Sequence, residues 1–181
     1  MESLKGQLLV ASADLFDPNF HRAVVLVTEH DESGALGVVL NRPADATVGE
    51  AVPGLTALVD EAEPVYVGGP VDRQSLLVLA EFEDSAEAAS TIFDEVGFVR
   101  GDADLALAAA GVRRARVYAG YAGWSAGQLD AEVQADGWIL EEATHADVFA
   151  EPDEELWSAV LRRKGGPYAL LSTLPPDPSL N

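Results

Sequence analysis

A chain of 181 residues with 48% hydrophobic content is long enough for one domain with a sizeable core and too apolar for a disordered acidic tail. Asp and Glu number 31 against 11 Lys and Arg, a formal net charge of −20, and such a surface repels phosphate backbones, which proteins bind by displacing counterions with Lys and Arg. The absence of cysteine excludes disulfides, thiolate chemistry and Cys-ligated zinc, and no apolar run approaches the roughly 18 residues of a bilayer span.

The N-terminus, MESLKGQLLVASADLFDP, has a short apolar stretch without the charged n-region and long h-region of a signal peptide. It reads as a first strand over 6–12, and a cytoplasmic protein is expected. FDPNF (16–20) has turn chemistry at Asp17, Pro18 and Asn19, with Phe20 assigned to the core. HRAVVLVTEH (21–30) is β-branched and apolar and predicts a buried strand. DESG (31–34) predicts a hairpin connection, and ALGVVLNRP (35–43) the return strand, stopped by Pro43. Residues 48–60 predict a short helix after Pro53. EPVYVGGPV (63–71) reads as a strand ending in a Gly-Gly-Pro turn, and QSLLVLAEF (74–82) as another strand.

A polar, Ala-rich connection follows. TIFDEVGFV (91–99) fits either one strand or a turn-containing pair. DADLALAAAG (102–111) predicts a helix with Asp102 as N-cap and Gly111 as its stop. RRARVYAG (113–120) predicts a strand, QLDAEVQADG (128–137) a helix, and WILEEA (138–143) a strand. PDEELWSAVLRRKGG (152–166) opens with proline and acids, closes with bases and glycines, and predicts a helix with Leu156, Trp157, Val160 and Leu161 on one face. The chain shows no repeats and no linker, so residues 1–181 read as one domain.

Between the strand at 113–120 and the helix at 128 lies Gly123-Trp124-Ser125-Ala126-Gly127, a match to the G-x-S-x-G nucleophile elbow. A strand–turn–helix context is what an elbow requires. The same residues fit a capping box, in which Ser125 accepts from a backbone N–H near Gln128 and the Gln128 side chain reaches back to the Ser125 N–H. A triad also needs a base and an acid. The histidines are His21, His30 and His145, and only His145 follows Ser125, just 20 residues later. No HGGG-type oxyanion segment is present. The capping role is therefore preferred, and a small serine hydrolase using Ser125 is the alternative.

Other candidate sites are weaker. Glu29 and His30 point to opposite faces of a strand and do not chelate together, so His30 reads as a capped or solvated histidine and no metal site is assigned. Arg42, after Asn41, has the fork to clamp a carboxylate or phosphate, with pairing to one of the many acids the preferred reading. Gly68 and Gly69 could present amides to an anion but lack the Lys-Ser/Thr of a P-loop, so a tight turn is preferred. Tyr121, Trp124 and Trp138 either line a pocket or fill a core, with the core preferred. Arg113, Arg114 and Arg116 alternate along a strand, and Arg162, Arg163 and Lys164 complement a helix C-terminus; neither group is a groove-reading element. The best candidate ligand site is the meeting of the Asn41-Arg42-Pro43, Gly68-Gly69-Pro70 and Gly120–Trp124 segments, the last including Tyr121 and Gly123, with Gln128 beside them.

Four blocks carry a resemblance: GYAGWSAGQLDAE, FDPNFHRAVVLVTEHDESGALGVVLNRP (16–43), VYVGGPV (65–71) and the closing DPSLN (177–181). They resemble the AlgH/YqgE family of bacterial proteins over almost the full chain, loosely between about 80 and 112. The resemblance implies a single-domain α+β fold in which a mixed or antiparallel bifurcated sheet closes into a pseudo-barrel with helices packed outside. It also implies that Gly can stand where Ser125 does, which removes a nucleophile's oxygen. It brings no settled activity and no cofactor. The family is often labelled a putative transcriptional regulator, a label at odds with a charge of −20 and with the lack of a basic helix-turn-helix. A non-enzymatic regulatory or accessory protein is expected, binding a protein partner or a small molecule, with no direct nucleic-acid or membrane contact.

Overall fold

The uninterrupted apolar runs of the N-terminal third become strands buried on both faces. The computed structural model describes residues 2–176; the closing DPSLN block lies outside them. Strands β1 (Gln7–Ala11), β2 (Val24–Asp31) and β3 (Gly34–Val39) form a meander. Leu8, Val10, Val24 and Leu26 point into one core, while Leu9, Ala11, Val25 and Val27 point into a second on the other side of the sheet. That is why these strands lack the polar alternation of a one-sided sheet. The Asp31–Gly34 hairpin forms as expected, but β2 starts at Val24 because Arg22, at φ 54°, still belongs to the preceding turn.

The return strand ends at Val39, before Pro43, and Pro43 instead opens β4 (Pro43–Thr47). The helix expected after Pro53 lies before it: α1 (Val48–Ala51) starts at a Thr47–Glu50 capping box, and Pro53–Leu55 is one 3-10 turn. A proline is tolerated in a helical first turn but ends the helix behind it. Next come β5 (Pro64–Val67), β6 (Val71–Phe82), β7 (Ser90–Phe93) and β8 (Val96–Phe98). The last two are the turn-containing pair, with Asp94 at φ 43° between them. Helix α2 (Leu105–Ala110) is capped by Asp104, not Asp102, through Ala106 and Leu107 N–H, and stops at Gly111.

Strand β9 (Val112–Ser125) is longer than its sequence suggests and organises the rest. Along one edge it carries β6; along the other it pairs antiparallel with β3 and parallel with β5. The sheet forks where β3 and β5 diverge, and Gly68 sits in the fork. Its N–H donates to the Ala119 carbonyl at 2.9 Å, and its carbonyl accepts from the Val39 N–H at 2.8 Å. The strand order is β10-β1-β2-β3-β9-β6-β8-β7, with the β4–β5 pair as the branch. This is a single α+β domain with a large, mostly antiparallel forked sheet; the sheet does not close into a barrel.

Helix α3 (Gln128–Gln134) follows β9 and leads to β10 (Trp138–Glu142), which returns to pair with β1. After α4 (His145–Val148), helix α5 (Leu156–Lys164) lays Leu156, Trp157, Val160 and Leu161 onto the first core, and α6 (Pro167–Leu171) packs beside it. The basic end of α5 has specific partners: Arg163 holds Asp147 at 2.8 and 2.9 Å, and the Lys164 ammonium donates to the Leu140 carbonyl. Among the described residues no helix is long and apolar enough to cross a membrane.

Candidate functional site

Ser125 is the last residue of β9 and is exposed; two turn residues separate it from α3. The N-cap of α3 is Gly127, in the left-handed region at φ 74°, not Ser125. Half of the expected capping box forms. The Ser125 N–H donates to Gln128 Oε1 at 3.1 Å, and the Ser125 hydroxyl donates to the same oxygen at 3.2 Å instead of accepting from the helix. An amide oxygen takes no proton at neutral pH, so Gln128 is no general base.

The three histidines are engaged elsewhere. His30 is buried rather than solvated: Nδ1 accepts from the Leu4 N–H at 3.0 Å and Nε2 faces Asp130 at 3.5 Å. His145 lies between Glu81, at 3.1 Å, and the β7–β8 turn acids Asp94 and Glu95. His21 faces the Pro176 carbonyl at 3.0 Å.

The hydrogen bonds around Ser125 continue inward. Gln128 Nε2 donates to Glu132 Oε1 at 2.9 Å, and Glu132 Oε2 accepts from both the Trp124 and Trp138 indoles at 2.9 Å. The two rings meet edge to face at 6.2 Å, and Phe20 packs on both. Trp124 and Trp138 thus belong to the second core. Tyr121 packs against the first core, on the opposite side of the sheet from Trp124. The aromatic residues of this motif do not share one pocket.

The glycines of the two other segments serve backbone contact. A Cβ on Gly69, at φ 156°, would lie 2.1 Å from the Tyr121 carbonyl carbon, and one on Gly68 would lie 2.3 Å from the Gly120 carbonyl oxygen. The Gly-Gly-Pro turn therefore nests against β9 at the fork. Asn41 is a staple: its Oδ1 accepts from the Val24 N–H and its Nδ2 donates to the Arg22 carbonyl, both at 2.9 Å.

Arg42 departs from its expected ion pair. Among the described residues its partners are backbone carbonyls, those of His21 and Asn41. Burial lowers its pKa from the ordinary guanidinium value, since the charged form is partly stripped of water. Arg42 stands between two cavities. One, of about 400 Å³, is lined by Arg22, Asn41 and Trp157 and by the acids Asp153, Glu154 and Glu155. The second, of about 250 Å³, is enclosed by Pro18, Asn19, Arg42, Gly69, Pro70 and Arg73 among others, and no acid lines it.

The second cavity brings together Pro18 and Asn19, Arg42 and Pro43, and Gly69 and Pro70. Of the other candidates, Asn41, Gly68, Tyr121, Gly123, Trp124 and Gln128 do not line it. Arg73 was not visible as a candidate. It enters through an irregular opening of β6, where Asp72 sits at φ 44° and the pairing with β9 shifts between Val71 and Leu76. Among the described residues no group of three His, Cys, Asp or Glu side chains is placed to hold a metal ion.

A family model described as AlgH-like matches residues 8–169. A UPF0301 protein of Rhodococcus opacus is 42% identical over 181 residues, covering 97% of this chain and 90% of its own. A UPF0301 protein of Streptomyces coelicolor is 42% identical over 187 residues, covering 100% and 97%. Among solved structures, a Corynebacterium diphtheriae protein superposes with a TM-score of 0.88 at 29% identity, covering 96% of this chain and 93% of that one. The AlgH protein of Pseudomonas aeruginosa matches with a TM-score of 0.72 at 33% identity, covering 96% and 95%. None of these names carries an activity.

Proposed function

This chain belongs to the AlgH-like family, and from that premise we propose that it is a non-enzymatic regulatory or accessory protein that binds a small carboxylate- or phosphate-bearing ligand between Arg42 and Arg73. One observation carries the reading. In a chain with 31 acids and 11 bases, two arginines line one small cavity that no acid lines. Like charges drawn together without a counterion repel, and an anion lodged between them would relieve that cost. The guanidinium fork suits carboxylate and phosphate oxygens equally. Regulation, in this reading, runs through ligand occupancy and not through direct DNA contact. A cytoplasmic setting belongs to the same proposal.

The test is calorimetric titration with a panel of mono- and dicarboxylates and phosphate monoesters, against the protein and its Arg42→Met and Arg73→Met variants. The reading predicts saturable binding of at least one compound, weakened by added salt and by at least tenfold in Arg73→Met. Arg73 is exposed, so that variant keeps its fold. Silence across the panel, or binding indifferent to both substitutions, overturns it.

A further inference from the structure

A third cavity, sharing no residue with the two at Arg42, lies beside β6. It measures about 620 Å³, within the roughly 300–1,000 Å³ of small-molecule sites. Its walls come from three places: Val52, Gly54 and Leu55 around the 3-10 turn, Leu76 to Val78 of β6, and Phe98 to Gly101 with Ala103 and the first residue of α2, Leu105. Of its twelve lining residues, Arg100 alone has a polar side chain; the rest are aliphatic, aromatic or glycine. Its two glycines, Gly54 and Gly101, are exposed and have nothing within 4 Å of where a Cβ would be. Of these wall residues, Leu76 is 43% exposed.

Two features select the occupant. The walls offer dispersion and desolvation and almost no side-chain hydrogen bonding, so the body of the ligand is apolar. The one charged group is a cation at the mouth, in a molecule whose net charge of −20 otherwise repels anions. An amphiphile with a single anionic head satisfies both, its head on Arg100 and its tail along Leu55, Leu76, Val78 and Phe98. We propose that this groove binds a medium-chain acyl carboxylate.

The test is calorimetric titration of the full chain with decanoate below its micelle concentration. Decanol is the uncharged control, and Arg100→Gln and Leu76→Glu are the variants. Both replaced side chains are exposed, and circular dichroism checks their fold. The proposal expects one saturable site for decanoate, decanol at least tenfold weaker, a loss of about tenfold in Arg100→Gln, and no binding in Leu76→Glu, which puts a like charge beside the tail. No saturable heat, or equal binding of decanoate and decanol, overturns it. So does a concentration-dependent dimer, seen by sedimentation, that Leu76→Glu dissociates and decanoate leaves intact, because the occupant is then a second copy of this chain.

Discussion

Trp124 and Trp138 donate their indole N–H groups to one oxygen, Glu132 Oε2, each at 2.9 Å. The pairing ties the end of β9 to the start of β10 through a residue of α3. Removing the carboxylate strands two buried donors at once, and each unsatisfied buried donor costs roughly 1–3 kcal/mol. Glu132→Ala is expected to lower the unfolding free energy by about 2–5 kcal/mol, by urea denaturation followed through tryptophan fluorescence. A loss of under about 1 kcal/mol would mean that water replaces the carboxylate at no cost.

Ser125 stands at the outer end of the same chain of hydrogen bonds. Replacing it with Ala keeps the backbone N–H that donates to Gln128 and removes only an exposed hydroxyl. Ser125→Ala is expected to cost less than about 1 kcal/mol. The wild-type protein is expected to take no label from a fluorophosphonate probe, by intact mass. Stoichiometric labelling of Ser125 would show an activated serine and restore the hydrolase reading.

Three glycines should respond very differently to alanine. Gly69 combines a φ of 156° with a Cβ position 2.1 Å from the Tyr121 carbonyl carbon. Gly69→Ala is expected to cost more than about 3 kcal/mol or to prevent folding. Gly127, at φ 74° but in open space, should lose only about 1 kcal/mol. Gly123 has ordinary backbone and its nearest neighbours at 3.9 Å, so Gly123→Ala should leave the thermal midpoint nearly unchanged. Thermal melts of the three variants check the order, and a reversal of the Gly69 and Gly123 effects would contradict the close contact at the fork.

Glu81 gives stability a pH dependence. Burial on its own would raise the carboxyl, but hydrogen bonds from Arg114, at 2.5 Å, and His145, at 3.1 Å, outweigh it and hold the pKa below the ordinary value. A depressed folded pKa adds stability that is fully present above the unfolded value, about 4.3. That stability is lost as pH falls through the folded value. The stability difference between wild type and Glu81→Gln should therefore be largest above about pH 5 and shrink on acidification. Urea midpoints measured from neutral pH to about pH 3 test this, and a difference independent of pH would remove Glu81 from the acid response.

Local chemistry was legible in the sequence wherever it decided the outcome. The apolar run of β2, the turn at Asp31–Gly34 and the stop at Gly111 all appear where their residues placed them. The missed features depend on contacts distant in sequence. Gly120 and Gly123 look like strand breakers, yet β9 continues through both because β6 and β3 hold its backbone from opposite sides. Asp102 and Asp104 are equally good caps on paper, and only the path of the loop selects Asp104. At the candidate site, Arg42 was readable because proline and asparagine frame it. Arg73 was not, since its approach depends on the displaced backbone at Asp72. Glu132 was one acid among 31, its role hidden until two tryptophans from different strands were seen to share it.

The position of β9 in the sheet has a consequence for synthesis on the ribosome. β3 and β6 are both laid down well before Val112, yet β9 is the strand that joins them. Until it emerges, the β2–β3 hairpin displays an unpaired edge, the kind of edge that recruits other chains. β1 waits longer still for its second partner, β10. A nascent chain arrested before Val112 is expected to be dependent on chaperones and prone to aggregate, and one extended past Glu142 to collapse cooperatively.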